Sequence, residues 1–204
     1  MDPTVYLHYT GFEVNPNKYY PDFAQWGLFL KQMSRDKNRN HLIVQNVARE
    51  VNKGRCVLVI SEVVKHCYHL RDLLAERIDY ERIAVATGQT RNREVVYKDV
   101  NRGHYDVLIA SKVIDEGVSI ERLDTCHLAT PTASRARAEQ RPGRIRRPLP
   151  GKKDPVVHDY IDEGHGMIYG SARIRMNVYK LIGAKMIDAR TGAEVRVQPG
   201  RRRR

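Results

Sequence analysis

The sequence predicts an α/β domain in which a mostly parallel sheet is flanked by helices. Three observations predict it. Short apolar runs rich in β-branched residues recur at 56–61, 82–87, 105–111, 125–130 and 155–161, with helical patterns between them. Those runs show no polar alternation, as expected of strands buried on both faces. The chain has 204 residues, 41% of them apolar, enough for one sizeable core.

The elements follow in order. "VYLHY", among the turn residues of 1–21, carries a strand signal. From Asp22 the pattern turns helical, with Phe23, Trp26, Phe29, Leu30 and Met33 at three- and four-residue spacing. Asp36 suits the N-cap of a second helix bearing Leu42, Ile43, Val47 and Val51, and Gly54 stops it. "CVLVIS" (56–61) is a strand; the helix of 62–77 follows, with Val63, Cys67, Leu70, Leu73 and Leu74 on one face. "RIAVAT" (82–87) is a strand ended by Gly88, and 91–102 reads as a helix. "YDVLIAS" (105–111) leads into a short irregular helix up to Gly117. "TCHLAT" (125–130) is closed by Pro131. A helix starts near Ser134, and Pro142, which has no N–H, predicts a kink or an end near Gln140 or Arg141. "PVVHDYI" (155–161) is the fifth of these strands. One more helix follows, with a stripe of Ile168, Ala172, Ile174, Val178, Leu181 and Ile182. From Asp188 the chain is polar and basic, ending in four arginines. That tail reads as lacking regular structure; it could bind a polyanion or be a purification remnant. In such sheets ligands bind at the carboxyl ends of strands, which points to the loops 61–66, 87–93, 111–119 and 131–147.

Lysine plus arginine outnumber aspartate plus glutamate by 36 to 24, a formal charge of +12. That balance favours polyanions such as DNA, RNA or nucleotides; the plainer reading is a domain with a basic tail. No apolar run reaches the roughly 18 to 20 residues a membrane span needs, and no signal peptide is visible. Three cysteines without C-x-x-C spacing read as reduced thiols of a cytoplasmic protein. Cys67 lies in "KHCYHL" beside His66 and His69, but zinc would need further ligands, so no metal is expected. No G-x-S-x-G nucleophile elbow is present.

"QRPGRIRRP" (140–148) crowds four arginines into seven residues. Arg144 and Arg147 are three apart, so one helical turn sets them side by side, and Gly143 lets the backbone bend closely. Glu139 is the sole carboxylate nearby in sequence. A polyphosphate would relieve the repulsion, and a planar guanidinium suits phosphate oxygens. An exposed basic helix end without a ligand accounts for the stretch equally well.

The stretch resembles motif VI of superfamily-two helicases, Q-x-x-G-R-x-x-R, in the "QRxGRxxRP" form of XPB-like and phage DNA helicases. The match falls on Gln140, Gly143, Arg144 and Arg147. "VLIASKVIDEGVSI" (107–120) is similar to motif V, "VLVISEVVKHCYHLRDLL" (57–74) to motif IV and its helix, and "ATGQTRNRE" (86–94) to the element between them. The resemblance spans residues 36–162. It implies a RecA-like three-layer fold and the second lobe of a two-lobed motor.

In that family ATP and Mg²⁺ sit between the lobes, held mainly by the first. The resemblance implies that Arg144 and Arg147 are arginine fingers for the γ-phosphate and that Gln140 positions them or senses the nucleotide. It places Glu116, Gly117, Ser119 and Gly143 at the nucleotide side. Ser111 and Lys112 would touch nucleic-acid phosphate, with Gly88 and Arg91 or Arg93 as a further phosphate contact at a helix N-terminus. Two positions depart from the pattern: many members carry Asp where Ser119 stands, and Pro142 is unusual inside motif VI.

The sequence holds no G-x-x-x-x-G-K-[ST] and no DExH-type box after a strand, so the phosphates are expected to be cradled by a first RecA-like lobe. The expected organisation is an extension over 1–35 packed on the lobe, the lobe at 36–187 and a basic tail at 188–204. The expected partners are DNA or RNA and the first lobe, with no membrane. A non-motor nucleic-acid-binding module, or lobe two of an RNA helicase, fits the same motifs.

Overall fold

The computed structural model describes residues 2–14, 22–115, 119–132 and 134–196. The elements in chain order are β1 (Thr4–Tyr9), α1 (Asp22–Met33), α2 (Lys37–Asn52), β2 (Val57–Ile60), α3 (Val64–Ala75), β3 (Ile83–Ala86), α4 (Arg93–Arg102), β4 (Val107–Ala110), β5 (Thr125–Leu128), α5 (Arg135–Gly143), β6 (Val156–Ile161), α6 (Gly166–Leu181) and β7 (Lys185–Asp188). Among the described residues the seven strands form one sheet in the order β3-β4-β2-β5-β6-β1-β7. Every adjacent pair is parallel.

The unbroken apolar runs are explained by burial on both faces. Leu58, Ile60, Leu108 and Ala110 point into the core shared with Tyr97 and Val100 of α4 and Ala172 and Tyr179 of α6. Their neighbours Val57, Val59, Val107 and Ile109 point the other way, onto Ile43, Val44 and Val47 of α2 and Cys67, Leu70 and Leu74 of α3. Successive residues of a strand alternate faces, so a three-layer domain needs apolar residues at every position. Asp36 caps α2 by accepting a hydrogen bond from the Arg39 backbone N–H.

Four expectations are corrected. β1 is no part of an appended extension: it lies between β6 and β7, paired from Thr4↔Val156 to Tyr9↔Ile161. Lys185–Asp188, where no strand was expected, forms β7 paired with β1, and Ile187 makes an antiparallel bridge to Glu194. One isolated bridge thus reaches past Asp188 into the stretch read as a tail, while residues 197–204 lie outside the described residues. The buried face of α6 is Ile168, Ser171, Ala172, Arg175, Val178 and Tyr179, whereas Leu181 is 68% exposed. The stripe turns because Asp159 on β6 draws Arg175 inward: Nε and Nη2 donate to its two oxygens at 2.8 and 2.9 Å, and the Tyr179 hydroxyl adds a third bond at 2.9 Å. Finally, α5 runs through Pro142 to Gly143. Proline costs a helix one internal donor, and here the last turn closes with i→i−3 bonds, Arg144 N–H to Arg141 O and Ile145 N–H to Pro142 O.

One close approach requires glycine. A Cβ on Gly164, just past β6, would lie 2.5 Å from the Phe12 carbonyl oxygen. The chain after β6 is thereby packed onto the chain after β1.

On the α2 side of the sheet three histidines stack across β1, β6 and β5. His127 and His158 lie 4.2 Å apart and 4° from parallel, and His8 Nε2 is 2.9 Å from His158 Nδ1. Burial pushes His8 down to about 4 and holds His127 and His158 well below the usual imidazole range. The unfolded chain therefore takes up protons that the native chain refuses. Stability from these neutral rings is complete above the unfolded value of about 6.5 and falls as pH drops toward the native value. The melting temperature is expected to be level above pH 7 and to fall steadily from there to pH 4; a flat profile over that interval would contradict this account.

Candidate functional site

The carboxyl ends of β3, β4, β2, β5, β6 and β1 line up along one edge of the sheet. The loop after β2 is fixed by local hydrogen bonding. Asn40 donates Nδ2 to the Ser34 carbonyl at 3.0 Å, so its Oδ1 accepts from His66 Nε2 at 2.9 Å. His66 Nδ1 then accepts from the Ser61 hydroxyl at 3.0 Å. Burial, followed by the nearby Arg39 charge, pushes His66 down to about 3, which keeps that ring neutral. His66 is thus a polar clamp between α2 and α3, with both ring nitrogens engaged by side chains.

Arg39 is wholly buried and grips Asp162, just past β6, through Nε at 2.9 Å and Nη2 at 3.2 Å; its third nitrogen reaches the Ala129 carbonyl. Thr10 donates to the same carboxylate at 2.6 Å. This network ties α2, β5, β6 and β1 together at the edge.

Next to it stands Glu62, which the sequence reading did not single out. Its side chain is 5% exposed, and its backbone N–H donates to Thr130 Oγ1 at 2.8 Å. Oε1 lies 3.1 Å from Arg141 Nη2 and 3.5 Å from Arg137 Nη1; Oε2 lies 3.9 Å from Lys112 Nζ. The arginine cluster therefore has an internal counter-ion, distant in sequence and missed when Glu139 alone was considered. Glu62 sits in a segment that reads as strand and helix start, and no local signal marks a surface-type residue for burial.

The four arginines of 140–148 have separate surroundings. Arg141 is 0% exposed and belongs to Glu62. Ile145 is buried in the core. Arg146 pairs with Asp2 at 3.1 Å, ahead of β1. Arg144 and Arg147 lie in the turn after α5, both half-buried. Lys152 donates to the Arg147 carbonyl at 2.8 Å and to that of Glu121, which precedes β5. The helix thus starts at the carboxyl edge and carries the turn back toward the amino ends of the strands. Gln140 is exposed, and Gly143 keeps helical backbone with no described atom within 4 Å of an added Cβ.

Of the other expected site residues, Ser111 is buried and Lys112 exposed at the end of β4, both on the carboxyl edge. Gly88 and Arg91 are exposed after β3, and Arg93 opens α4, whose Asn92 cap makes no side-chain hydrogen bond. Ser119 is exposed and its carbonyl accepts from Asn101 at 3.4 Å. Glu116 and Gly117 lie outside the described residues. The edge thus gathers Ser111 and Lys112 with Arg137, Arg141 and Glu62, whereas Arg144, Arg147 and Gly143 sit beyond that cluster. No described helix is long and apolar enough to cross a membrane.

The helicase conserved C-terminal domain matches residues 38–148. A probable helicase of Escherichia phage T5 is 27% identical over 188 residues, covering 91% of this chain and 40% of that protein. Among solved structures, T4 UvsW aligns with a TM-score of 0.64 at 18% identity, over 90% of this chain and 40% of that one. S. cerevisiae Dbp5, bound to RNA and ADP BeF3, aligns with a TM-score of 0.57 at 14% identity, over 92% and 42%. The chain spans about 40% of the length of these relatives.

The Arg39–Asp162 pair yields a stability test. Replacing Asp162 with Ala strands a buried guanidinium, and the unfolding free energy is expected to drop by about 3–5 kcal/mol. Chemical denaturation measures it, and a loss under about 1 kcal/mol would show that the pair does not hold the edge.

Proposed function

The chain belongs to the helicase conserved C-terminal domain family, and we propose that it is the second motor lobe of an ATP-dependent DNA helicase or translocase. The observation that carries this reading is the turn after α5. Arg141 and Ile145 are buried and fix the turn, a Cβ on Gly143 would meet no neighbour, and Arg144 and Arg147 stand half-buried just after it. Two guanidiniums held this way fit a polyphosphate.

In this reading a first RecA-like lobe holds ATP and Mg²⁺, and the bound nucleotide supplies the γ-phosphoryl group to be transferred. The residues of this chain contribute charge and position. Arg144 and Arg147 stabilise negative charge on the γ-phosphate, and Gln140 orients them. Gly143 and Ser119 face the nucleotide, and Glu116 and Gly117 are assigned to the same site. Ser111 and Lys112 grip the nucleic-acid backbone, with Gly88, Arg91 and Arg93 as a second phosphate contact. Contacts of this kind hold any sequence and weaken with salt. The solved complex of Dbp5 with RNA and ADP BeF3 supports a lobe of this fold working on both ligands; DNA is proposed for this chain because its motif VI has the XPB-like and phage form.

With the first lobe present, Arg144→Ala is expected to lower ATP turnover by about 10³-fold or more. Turnover at the wild-type level would end the finger assignment. Lys112→Ala is expected to weaken binding to all DNA sequences alike and to reduce the salt slope by about one contact. Parallel titrations with RNA strands decide the nucleic acid, since tighter binding to RNA would replace DNA as the substrate.

A further inference from the structure

Glu62 is the point on which the two halves of the edge converge. One carboxylate oxygen faces α5, at 3.1 Å from Arg141 and 3.5 Å from Arg137; the other faces Lys112 beyond β4, at 3.9 Å. Its own position is fixed. Thr130 holds its backbone N–H, and His66 holds the preceding Ser61.

The three cations are not equivalent. Arg137 and Arg141 stand one helical turn apart, where like charges repel without an anion between them. Arg141 is wholly buried, so its partner cannot be exchanged for water. The Lys112 side chain is 56% exposed and is the most distant of the three. An ion pair at 3.9 Å to a half-exposed lysine is the loosest of the three, so Lys112 is the cation that a competing anion can remove.

We propose that Glu62 is a positioning residue that couples the nucleic-acid grip to the motif VI arginines. A backbone phosphate that engages Lys112 releases it from Glu62. The carboxylate charge then acts on Arg137 and Arg141 without that competitor and draws α5 against the carboxyl edge, which sets the turn bearing Arg144 and Arg147. By linkage, a nucleotide that shifts α5 changes nucleic-acid affinity by the same factor. The inference rests on the motor reading and adds to it the residue through which the two ligands communicate.

The test uses the full-length protein that carries this lobe. Its affinity for a fluorescent single-stranded DNA oligonucleotide is measured with and without a non-hydrolysable ATP analogue and Mg²⁺, and the ratio of the two is the readout. Glu62→Gln is expected to reduce that ratio by about fivefold or more, toward one, with nucleotide-free affinity unchanged or raised because Lys112 is no longer held. A Glu62 that merely supports the fold would weaken both affinities alike and leave the ratio at its wild-type value, which overturns the proposal. Lys112→Met, an exposed change that spares the core, should collapse the same ratio. If Glu62→Gln fails to fold, an unchanged ratio in Lys112→Met overturns the proposal by itself. The double variant should add no further loss to either single change. Arg144→Ala separates the two levels. If it keeps wild-type ATP turnover, the motor reading fails; if it abolishes turnover while Glu62→Gln keeps the ratio, only the coupling role fails.

Discussion

Among the described residues three arginines are the largest wholly buried side chains, and each meets a carboxylate: Arg39 with Asp162, Arg141 with Glu62 and Arg175 with Asp159. A guanidinium can leave water only if an anion and hydrogen-bond acceptors replace it. Each pairing therefore fixes a helix to a strand end or strand with a direction and a register that apolar packing alone does not supply. α2, α5 and α6 are placed this way. The geometry of the candidate site, from the loop after β2 to the turn after α5, follows from those three constraints.

The division of labour within 140–148 is the clearest outcome. Repulsion among clustered arginines is a valid concern, but the relief is divided. Part of the charge is neutralised inside the lobe by Glu62, and part at the surface by Asp2. Arg144 and Arg147, in the turn, are the residues that the motor reading assigns to a nucleotide. The anchoring of Arg141 and Ile145 makes the turn a rigid platform, which preorganised electrostatic stabilisation requires.

Much of the fold was legible in the chain. β2 through β6 appear as apolar runs because both faces are buried, and Asp36 announces α2 because a carboxylate there has one evident use. The rest was hidden for physical reasons. β7 is four residues long and mixes Lys185 and Asp188 with two apolar residues, so it carries neither a run nor an alternation. Ile174 and Leu181 looked like the inner face of α6 because an apolar count cannot anticipate that Asp159 recruits Arg175 and Tyr179. Glu62 was passed over for the same reason: a charged residue is assigned to solvent until its partners, distant in sequence, are known. The residues that the motor reading assigns to the chemistry were easier to single out, since spacing within one short motif is local information.

The slot occupied by β1 has a consequence for how the polypeptide is made. Within this sheet β1 is made before the other strands, yet its two neighbours, β6 and β7, are made last, and Thr10 meets Asp162 across a separation of 152 residues. While the motif-bearing middle is being synthesised, "VYLHY" has no partner edge and its backbone donors remain in water. Closure of so long a loop is entropically costly and slow, so completion of the sheet is deferred until β6 and β7 are out. A nascent or prematurely terminated product therefore exposes the open side of β5 or, once β6 has joined β1, that of β1, a strand edge on which unwanted association can begin.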